Sequence, residues 1–289
     1  MIEGRPKSYE SQGLTLKFLE WGEPGAPPLI IHHGFLDLGA TWTEVASALS
    51  DRFRVIAVDA RGHGDSEWVG AGGAYYFPDY LLDLYNLIDA ECAAETPILV
   101  GHSMGGGVTS YFAGTFPDRV RALVMVEGLG PPKQPFDRAP AHVKQFVETT
   151  RLRFAERSPS VMNTVEDAAA KLAKHNRGLS DERAVMFARR ATRPVANGVV
   201  WKWDPLHRAR IGTPYVVEHA LAIWSQITAP VLSVSGDKSV FWWPGIEERF
   251  APFKTLRHEN IVDAGHNIHL DAPDALTRII SDFLQTLTE

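Results

Sequence analysis

The chain has 289 residues, of which 45% are hydrophobic and 22% charged, a globular composition with ample length for a large core. Its formal net charge is −6 and no run of lysine and arginine stands out, which argues against nucleic acid or a membrane as a partner. Cys92 is the single cysteine, so an internal disulfide and a cysteine-based metal site are excluded.

The first residues are polar and lack an apolar signal core, and no stretch of 18 apolar residues occurs. These features predict a cytoplasmic protein. Cys92 itself lies in a helical pattern, where a buried and unreactive thiol is expected.

Strands and helices alternate from the beginning of the chain. Residues 14–21 alternate apolar and polar side chains, which is typical of a half-exposed edge strand. Residues 28–32 and 53–58 are short apolar runs, as expected of parallel strands buried on both faces. Residues 42–49 between them predict a helix.

The alternation continues through the next 45 residues or so. Apolar side chains in 80–88 recur at i, i+4, i+7 and i+8, which predicts a helix with one stripe facing the core. A strand at 98–100, a helix at 108–116 and a strand at 122–126 follow. Such alternation predicts a parallel sheet with right-handed crossovers.

A proline-rich stretch at 131–135 interrupts this rhythm. The residues after it lack clear strands but contain helical stretches, such as 143–157 and 181–190. Strands are again predicted at 230–235 and 260–263. The predicted division of the chain is a core formed by 1–130 and 227–289, with an inserted segment at 131–226 and a closing helix from Pro273.

The stretch that carries most information is Gly101-His102-Ser103-Met104-Gly105, between a predicted strand and a predicted helix. A G-x-S-x-G pattern in this setting indicates a nucleophile elbow. The turn is so sharp that side chains on either side of the serine would collide, which explains both glycines. The turn exposes the Ser103 hydroxyl above the sheet.

Four motifs of this chain occur in the order found in the α/β-hydrolase superfamily, which the chain resembles over nearly its whole length. They are 33–35, 59–66, 101–106 and 265–266. The resemblance implies an α/β fold with a mostly parallel sheet of about eight strands flanked by helices. It also implies that the inserted segment is a helical cap over the active site.

A serine hydroxyl needs a base that takes its proton, and His266 is the candidate. It follows the last predicted strand and Gly265, ahead of the closing helix. Imidazole suits this role because its pKa lies near neutrality. His269 invites a metal pair with His266, but no carboxylate or cysteine cluster in the sequence supports one.

The acid has two candidates. Most members of the superfamily carry it three residues after a glycine, but here Gly236 places Ser239 at that offset. Asp237 is one candidate, although it also reads as a turn-capping residue. Glu127 is the favoured one, because it ends an apolar strand, where a carboxylate is costly without a partner such as the His266 imidazolium. The alternative reading of Glu127 is a structural ion pair.

The oxyanion hole is predicted to consist of the backbone N–H groups of Met104, directly after the nucleophile, and of Phe35. His33 and the loop 61–66, including His63, are predicted to be structural. Several aromatic residues either line an apolar pocket or pack the cap against the core. These are Trp201, Trp203, Tyr215, Trp224, Trp242 and Trp243.

The expected reaction is cofactor-free and metal-free hydrolysis of a small apolar ester, with Ser103 as nucleophile, His266 as base and Glu127 as acid. Because fold does not determine function, a lactonase, a carbon–carbon bond hydrolase and a cofactor-free perhydrolase remain open on the same triad. A serine nucleophile argues against dehalogenases and epoxide hydrolases that use aspartate. The rival from another class is a non-catalytic receptor for a small ligand.

Overall fold

A mixed β-sheet forms the centre of the structure, a computed structural model that describes residues 2–155, 157–176, 178–209 and 215–287. Within these ranges the strands are β1 Arg5–Ser11, β2 Leu14–Trp21, β3 Pro28–His32, β4 Arg54–Asp59, β5 Ile98–His102, β6 Ala122–Val126, β7 Thr192–Val195, β8 Gly198–Trp201, β9 Val231–Gly236 and β10 Leu256–Ile261.

Eight of these strands share one sheet in the order β1-β2-β4-β3-β5-β6-β9-β10. The pairs β1–β2 and β2–β4 are antiparallel, whereas β4, β3, β5, β6, β9 and β10 run parallel to one another. Every residue of β3, β5 and β6 is buried, because helices cover both faces of the sheet. The predicted α/β class and the mostly parallel eight-stranded sheet are confirmed.

The prediction that residues 14–21 form an edge strand is wrong. The edge is β1, which pairs with β2 and places Tyr9 opposite Leu16. Only two residues of β1 are buried, and charged residues such as Lys7 and Glu10 conceal its alternation. Polar and charged side chains are the usual protection of an edge strand, so β1 does not stand out in the sequence.

The other edge strand also differs from its prediction. β10 spans Leu256–Ile261, whereas the sequence predicts 260–263. Of its six residues only Ile261 is buried, because the strand has a neighbour on one side alone. An apolar run is therefore absent from most of its length.

Helices lie on both faces of the sheet. On one face α2 and α3 pack together, and on the other α1 packs against α9. In the described ranges the helices are α1 Thr43–Leu49, α2 Phe77–Glu91, α3 Met104–Thr115, α4 Ala139–Ala155, α5 Val165–His175, α6 Asp181–Ala191, α7 Val217–Trp224, α8 Ile268–Asp271 and α9 Pro273–Gln285.

The segment between β6 and β9 contains α4 to α7, close to the predicted helices at 143–157 and 181–190. Position 156 and positions 177 and 210–214 of this segment lie outside the described residues. The expectation that the segment lacks strands is wrong, because β7 and β8 form an antiparallel hairpin. These strands have four residues each, too short for a recognisable alternation.

None of the helices in the described ranges is long and apolar enough to cross a bilayer.

Candidate active site

Ser103 stands at the turn between β5 and α3, with φ 50° and ψ −113°. This is a rare conformation for a non-glycine residue, and it is maintained by tight packing around the turn. A Cβ on Gly101 would come closer than 3.0 Å to Thr109 Oγ1, and one on Gly105 equally close to the His32 carbonyl oxygen. Both glycines are therefore required by space, and the sharp strand–turn–helix geometry expected of this motif is observed.

Glu127 follows β6 directly and also has a positive φ, 53°. Its backbone N–H donates to the Val234 carbonyl oxygen over 2.9 Å, which fixes the residue against β9. The carboxylate is almost fully buried, with 1% of the side chain exposed. This orientation directs the side chain toward the loops that follow β9 and β10.

Three hydrogen bonds satisfy the Glu127 carboxylate. Oε1 accepts from the backbone N–H of Gly236 at 2.9 Å, and Oε2 accepts from the Ser239 hydroxyl at 2.5 Å. The third bond joins Oε2 and Nδ1 of His266, at 3.1 Å. Because a carboxylate only accepts, Nδ1 of His266 carries the proton and Nε2 carries the lone pair.

Asp237 has other partners than His266. Its carboxylate forms an ion pair with Lys238 at 2.9 Å, and its backbone N–H donates to the Ile261 carbonyl oxygen at 3.1 Å. The hydrogen bond from Lys238 lowers the pKa of Asp237. Of the two carboxylates weighed from the sequence, Glu127 is therefore the one in contact with His266.

The loop around His266 is held by its neighbours. The Gly265 N–H donates to Asp271 Oδ2 at 2.9 Å, and the His266 carbonyl oxygen accepts from Nε2 of His102 at 2.9 Å. The imidazole lies 4.3 Å from the Phe241 ring, measured between centroids. With 20% of its side chain exposed, His266 is accessible from the cavity beside it.

The two residues predicted to supply the oxyanion donors, Phe35 and Met104, line the same cavity as Ser103. Met104 is the first residue of α3, so its N–H has no acceptor one turn earlier in the helix. Phe35 follows Gly34, which lies so close to Ser103 that a Cβ added to Gly34 would be 3.2 Å from Cβ of Ser103. The next N–H, that of Leu36, donates to His63 Nε2 at 3.2 Å, which fits the predicted structural role of His63.

A cavity of about 640 Å³ opens at this point. The five residues predicted for the site all line it, namely Ser103, His266, Glu127, Phe35 and Met104. The rest of the wall is mostly apolar and aromatic, including Phe77, Tyr80, Leu129, Phe146, Tyr215 and Trp242.

The described lining residues include no lysine and no arginine. Burial lowers the pKa of His207, which lies in the wall, to about 4, so this imidazole is neutral at pH 7. A free carboxylate in the cavity would therefore meet neither a lysine nor an arginine in the described part of the wall.

A family model described as the alpha/beta hydrolase fold matches residues 27–273, which is most of the chain. The chain belongs to the α/β hydrolase fold family. The resemblance seen in the four sequence motifs is thereby confirmed. The hydrolase topology explains why the ends of β5, β6 and β10 supply the three side chains at the cavity.

Two relatives and one solved structure are similar to this chain over most of their own length. A serine hydrolase-like protein of Danio rerio is 29% identical over 92% of this chain and 83% of its own. A 3-hydroxybutyrate-oligomer hydrolase of Cupriavidus necator is 26% identical over 87% of this chain and 86% of its own. Among solved structures, a thioesterase domain from the curacin biosynthetic pathway has a TM-score of 0.86 and 27% identity, covering 96% of this chain and 99% of its own.

The aromatic residues singled out from the sequence divide between the two readings. Tyr215 and Trp242 line the cavity of the hydrolase. Trp224 instead packs in the core, where its Nε1–H donates to Ser110 Oγ at 2.9 Å. Trp203 and Trp243 lie against the guanidinium groups of Arg208 and Arg249, and Trp201 packs against α5 and α6.

Two contributors to the site were not foreseen in the sequence. Ser239 stands at the offset where relatives carry the acid, and that offset was the signal that it belongs to the site. His102 lies within the elbow motif, but its hydrogen bond to the His266 carbonyl oxygen joins residues 164 positions apart. No local sequence pattern could have predicted that bond.

Proposed function

We propose that the protein is a serine carboxylesterase that hydrolyses uncharged esters with small or medium apolar groups. One observation supports the proposal above others: the buried Glu127 carboxylate accepts a hydrogen bond from His266, and Ser103 and His266 line the same cavity. Nucleophile, base and acid are the three groups that activation of a serine hydroxyl requires.

In the proposed reaction the Ser103 Oγ attacks the ester carbonyl carbon while His266 Nε2 takes the hydroxyl proton. The resulting imidazolium is stabilised by Glu127. Collapse of the tetrahedral intermediate breaks the ester bond, and His266 returns the proton to the leaving alcohol. A water molecule then repeats the sequence on the acyl-enzyme and releases the acid.

The negative charge on the carbonyl oxygen would be stabilised by the N–H groups of Phe35 and Met104. Each such donor contributes roughly 10²–10³ in rate in comparable enzymes. Because both donors belong to the backbone, their presence depends on the elbow and on the loop after β3 rather than on side-chain identity.

We assign residues 131–226 as a cap on the core formed by 1–130 and 227–289. Phe146, Leu206, His207 and Tyr215 of this segment line the cavity, which supports the assignment. The names of two similar proteins, a 3-hydroxybutyrate-oligomer hydrolase and a thioesterase domain, are compatible with attack on an acyl carbonyl. The proposed substrate is therefore a small apolar ester enclosed between cap and core.

A serine-directed phosphonate probe tests the proposal. The intact protein is treated with the probe, digested and analysed by mass spectrometry. The proposal expects a mass increase on Ser103 and none on other serines such as Ser239. A protein that binds apolar esters without any labelling or turnover would instead be a small-ligand receptor, and the esterase proposal would be abandoned.

A further inference from the structure

Three side chains that the proposed reaction does not use meet beside the His266 loop. Asp37 comes from the loop after β3, His102 from the end of β5 and His269 from α8. One potential metal-binding atom from each lies within 4.8 Å of the other two. His102 and His269 are 2% and 0% exposed, whereas the Asp37 side chain is 16% exposed.

These three residues contain several buried polar atoms that lack a hydrogen-bond partner. In the described part of the chain, His102 Nδ1, both ring nitrogens of His269 and Asp37 Oδ2 are buried without a hydrogen-bond partner. His269 Nε2 and Asp37 Oδ2 lie 3.2 Å apart, but without hydrogen-bond alignment. Buried polar atoms are nearly always partnered, so four orphans in one cluster point to a missing ligand.

The protonation of His102 follows from its one hydrogen bond. Nε2 lies 2.9 Å from the His266 carbonyl oxygen, which only accepts, so Nε2 carries the proton. Nδ1 therefore presents a lone pair to the cluster. A histidine binds a metal ion through such an unprotonated ring nitrogen.

Asp37 supplies a carboxylate oxygen. Its Oδ1 accepts from the Thr41 hydroxyl at 2.8 Å, which leaves Oδ2 for the cluster. The ring of His269 stacks on Trp42 at 4.3 Å between centroids and 6° between planes. Stacking occupies the ring faces and leaves the nitrogens free at the edge.

We propose that Asp37, His102 and His269 bind one divalent transition metal ion, of which Zn²⁺ is the representative. Two imidazoles and one carboxylate suit Zn²⁺ and its neighbours rather than Mg²⁺ or Ca²⁺, which prefer oxygen. Ligand atoms at about 2.0–2.1 Å from a tetrahedral Zn²⁺ lie about 3.4 Å from one another. The three candidate atoms are at most 4.8 Å apart, so binding requires side-chain shifts on the order of 1 Å. The partial exposure of Asp37 provides the entry path.

Metal binding is expected to inhibit the enzyme. His102 precedes Ser103 directly and donates to the His266 carbonyl oxygen, so movement of its ring displaces both backbones. Zn²⁺ should therefore lower kcat more than it changes KM. This inhibition depends on the proposed esterase function, whereas the binding of metal does not.

Binding is tested on the full chain by competition with a chromophoric Zn²⁺ indicator. Wild-type protein is expected to bind one Zn²⁺, while Asp37→Asn and His269→Gln should each weaken binding by at least about tenfold. Tenfold is the smallest loss of metal affinity usual even for a residue that only hydrogen-bonds to a ligand. His219→Gln, which alters an exposed histidine on α7, is the matched control and should bind as the wild type does. Co²⁺ substitution should produce intense visible bands typical of four-coordination, and both Asp37→Asn and His269→Gln should lose them.

Equal Zn²⁺ affinity in wild type, Asp37→Asn and His269→Gln would overturn the site, as would failure of folded wild type to bind. In the latter case Asp37 and His269 form only a structural pair. If ester hydrolysis is observed, Zn²⁺ inhibition that persists unchanged in His269→Gln would place the metal at His266 instead. Absence of esterase activity combined with loss of Zn²⁺ binding in both variants would reject the proposed function and retain the site.

Discussion

Ser239 donates a 2.5 Å hydrogen bond to the same Glu127 oxygen that accepts from Nδ1 of His266. Ser239, at the offset where the superfamily resemblance expects the acid, thus hydrogen-bonds to the carboxylate that we propose as the acid and that follows another strand. Because β6 and β9 are adjacent and parallel, their ends lie at one edge of the sheet, and a carboxylate from either reaches the same space.

Glu127→Gln is expected to lower kcat by up to about 10⁴, as replacement of the acid does in other triads. The amide no longer stabilises the imidazolium and can impose the wrong tautomer on His266. Steady-state hydrolysis of a short-chain aryl ester measures the effect. Asp237→Asn is the matched control and should change kcat far less, since Asp237 pairs with Lys238. The reverse ranking would identify Asp237 as the acid.

Ser103→Ala should abolish turnover while the circular dichroism spectrum and the unfolding transition stay close to those of the wild type. Removal of one hydroxyl from a half-buried position leaves the packing of the elbow glycines unchanged. Any residual rate should come only from substrate binding and the backbone donors. Hydrolysis at the wild-type rate would contradict the proposed nucleophile.

Ser239→Ala should destabilise the fold by about 1.5–3 kcal/mol, the range for a hydrogen bond to a charged group. The buried Glu127 carboxylate would keep its bonds to Gly236 and His266 but lose its shortest one. Urea denaturation at pH 7 measures the change. Ser225→Ala is the control, because Ser225 is half-buried after α7 but its hydroxyl forms an exposed hydrogen bond to an uncharged carbonyl. Its stability should lie within about 0.5 kcal/mol of the wild type.

Acidification should destabilise the protein partly through His207. Burial lowers its pKa from an ordinary value of 6.5 to about 4, so between these values the unfolded chain binds more protons than the folded one. Stability is therefore present above pH 6.5 and is lost as the pH falls toward 4. From pH 7 to pH 5 this one residue should cost about 2 kcal/mol.

The variant His207→Phe tests this contribution, since it keeps an aromatic ring against Tyr75 and removes the titration. Between pH 7 and pH 5 the free energy of unfolding of the variant, measured by urea denaturation, should fall by about 2 kcal/mol less than that of the wild type. Parallel loss in both proteins would assign the acid sensitivity to other buried histidines such as His32, whose pKa burial lowers to about 3.

Substrate charge should matter strongly. An aryl ester whose acyl chain ends in a carboxylate is expected to have kcat/KM at least about 10²-fold below that of the methyl-ended chain of equal length, because a buried unpaired charge costs several kcal/mol. The described cavity wall offers that charge no lysine or arginine. Comparable kcat/KM values would show that the acyl group lies outside the cavity.

Much of the fold was readable because its signals are local. The buried strand β6 is apolar throughout, and β3 and β5 are apolar up to the histidine that ends each of them. The Gly101 and Gly105 pair reflects the sterics of a single turn. Such features depend on residues a few positions apart. The sequence did not predict the edge strand β1, because most of its residues are exposed and they show no apolar pattern.

Which carboxylate meets His266 was decided only by the tertiary structure. Glu127 and His266 are separated by 139 residues, and their contact depends on the side-by-side order of β6, β9 and β10. The same holds for Asp37, His102 and His269, which come from a loop, the end of a strand and a helix. Sequence by itself determined the strained turn at Ser103, since the backbone conformation there depends on adjacent residues. Contacts between polar side chains that are distant in sequence depend on which strand ends lie side by side at one edge of the sheet. The order of the strands is set by hydrogen bonding across the sheet, and it exists only when the whole chain has folded.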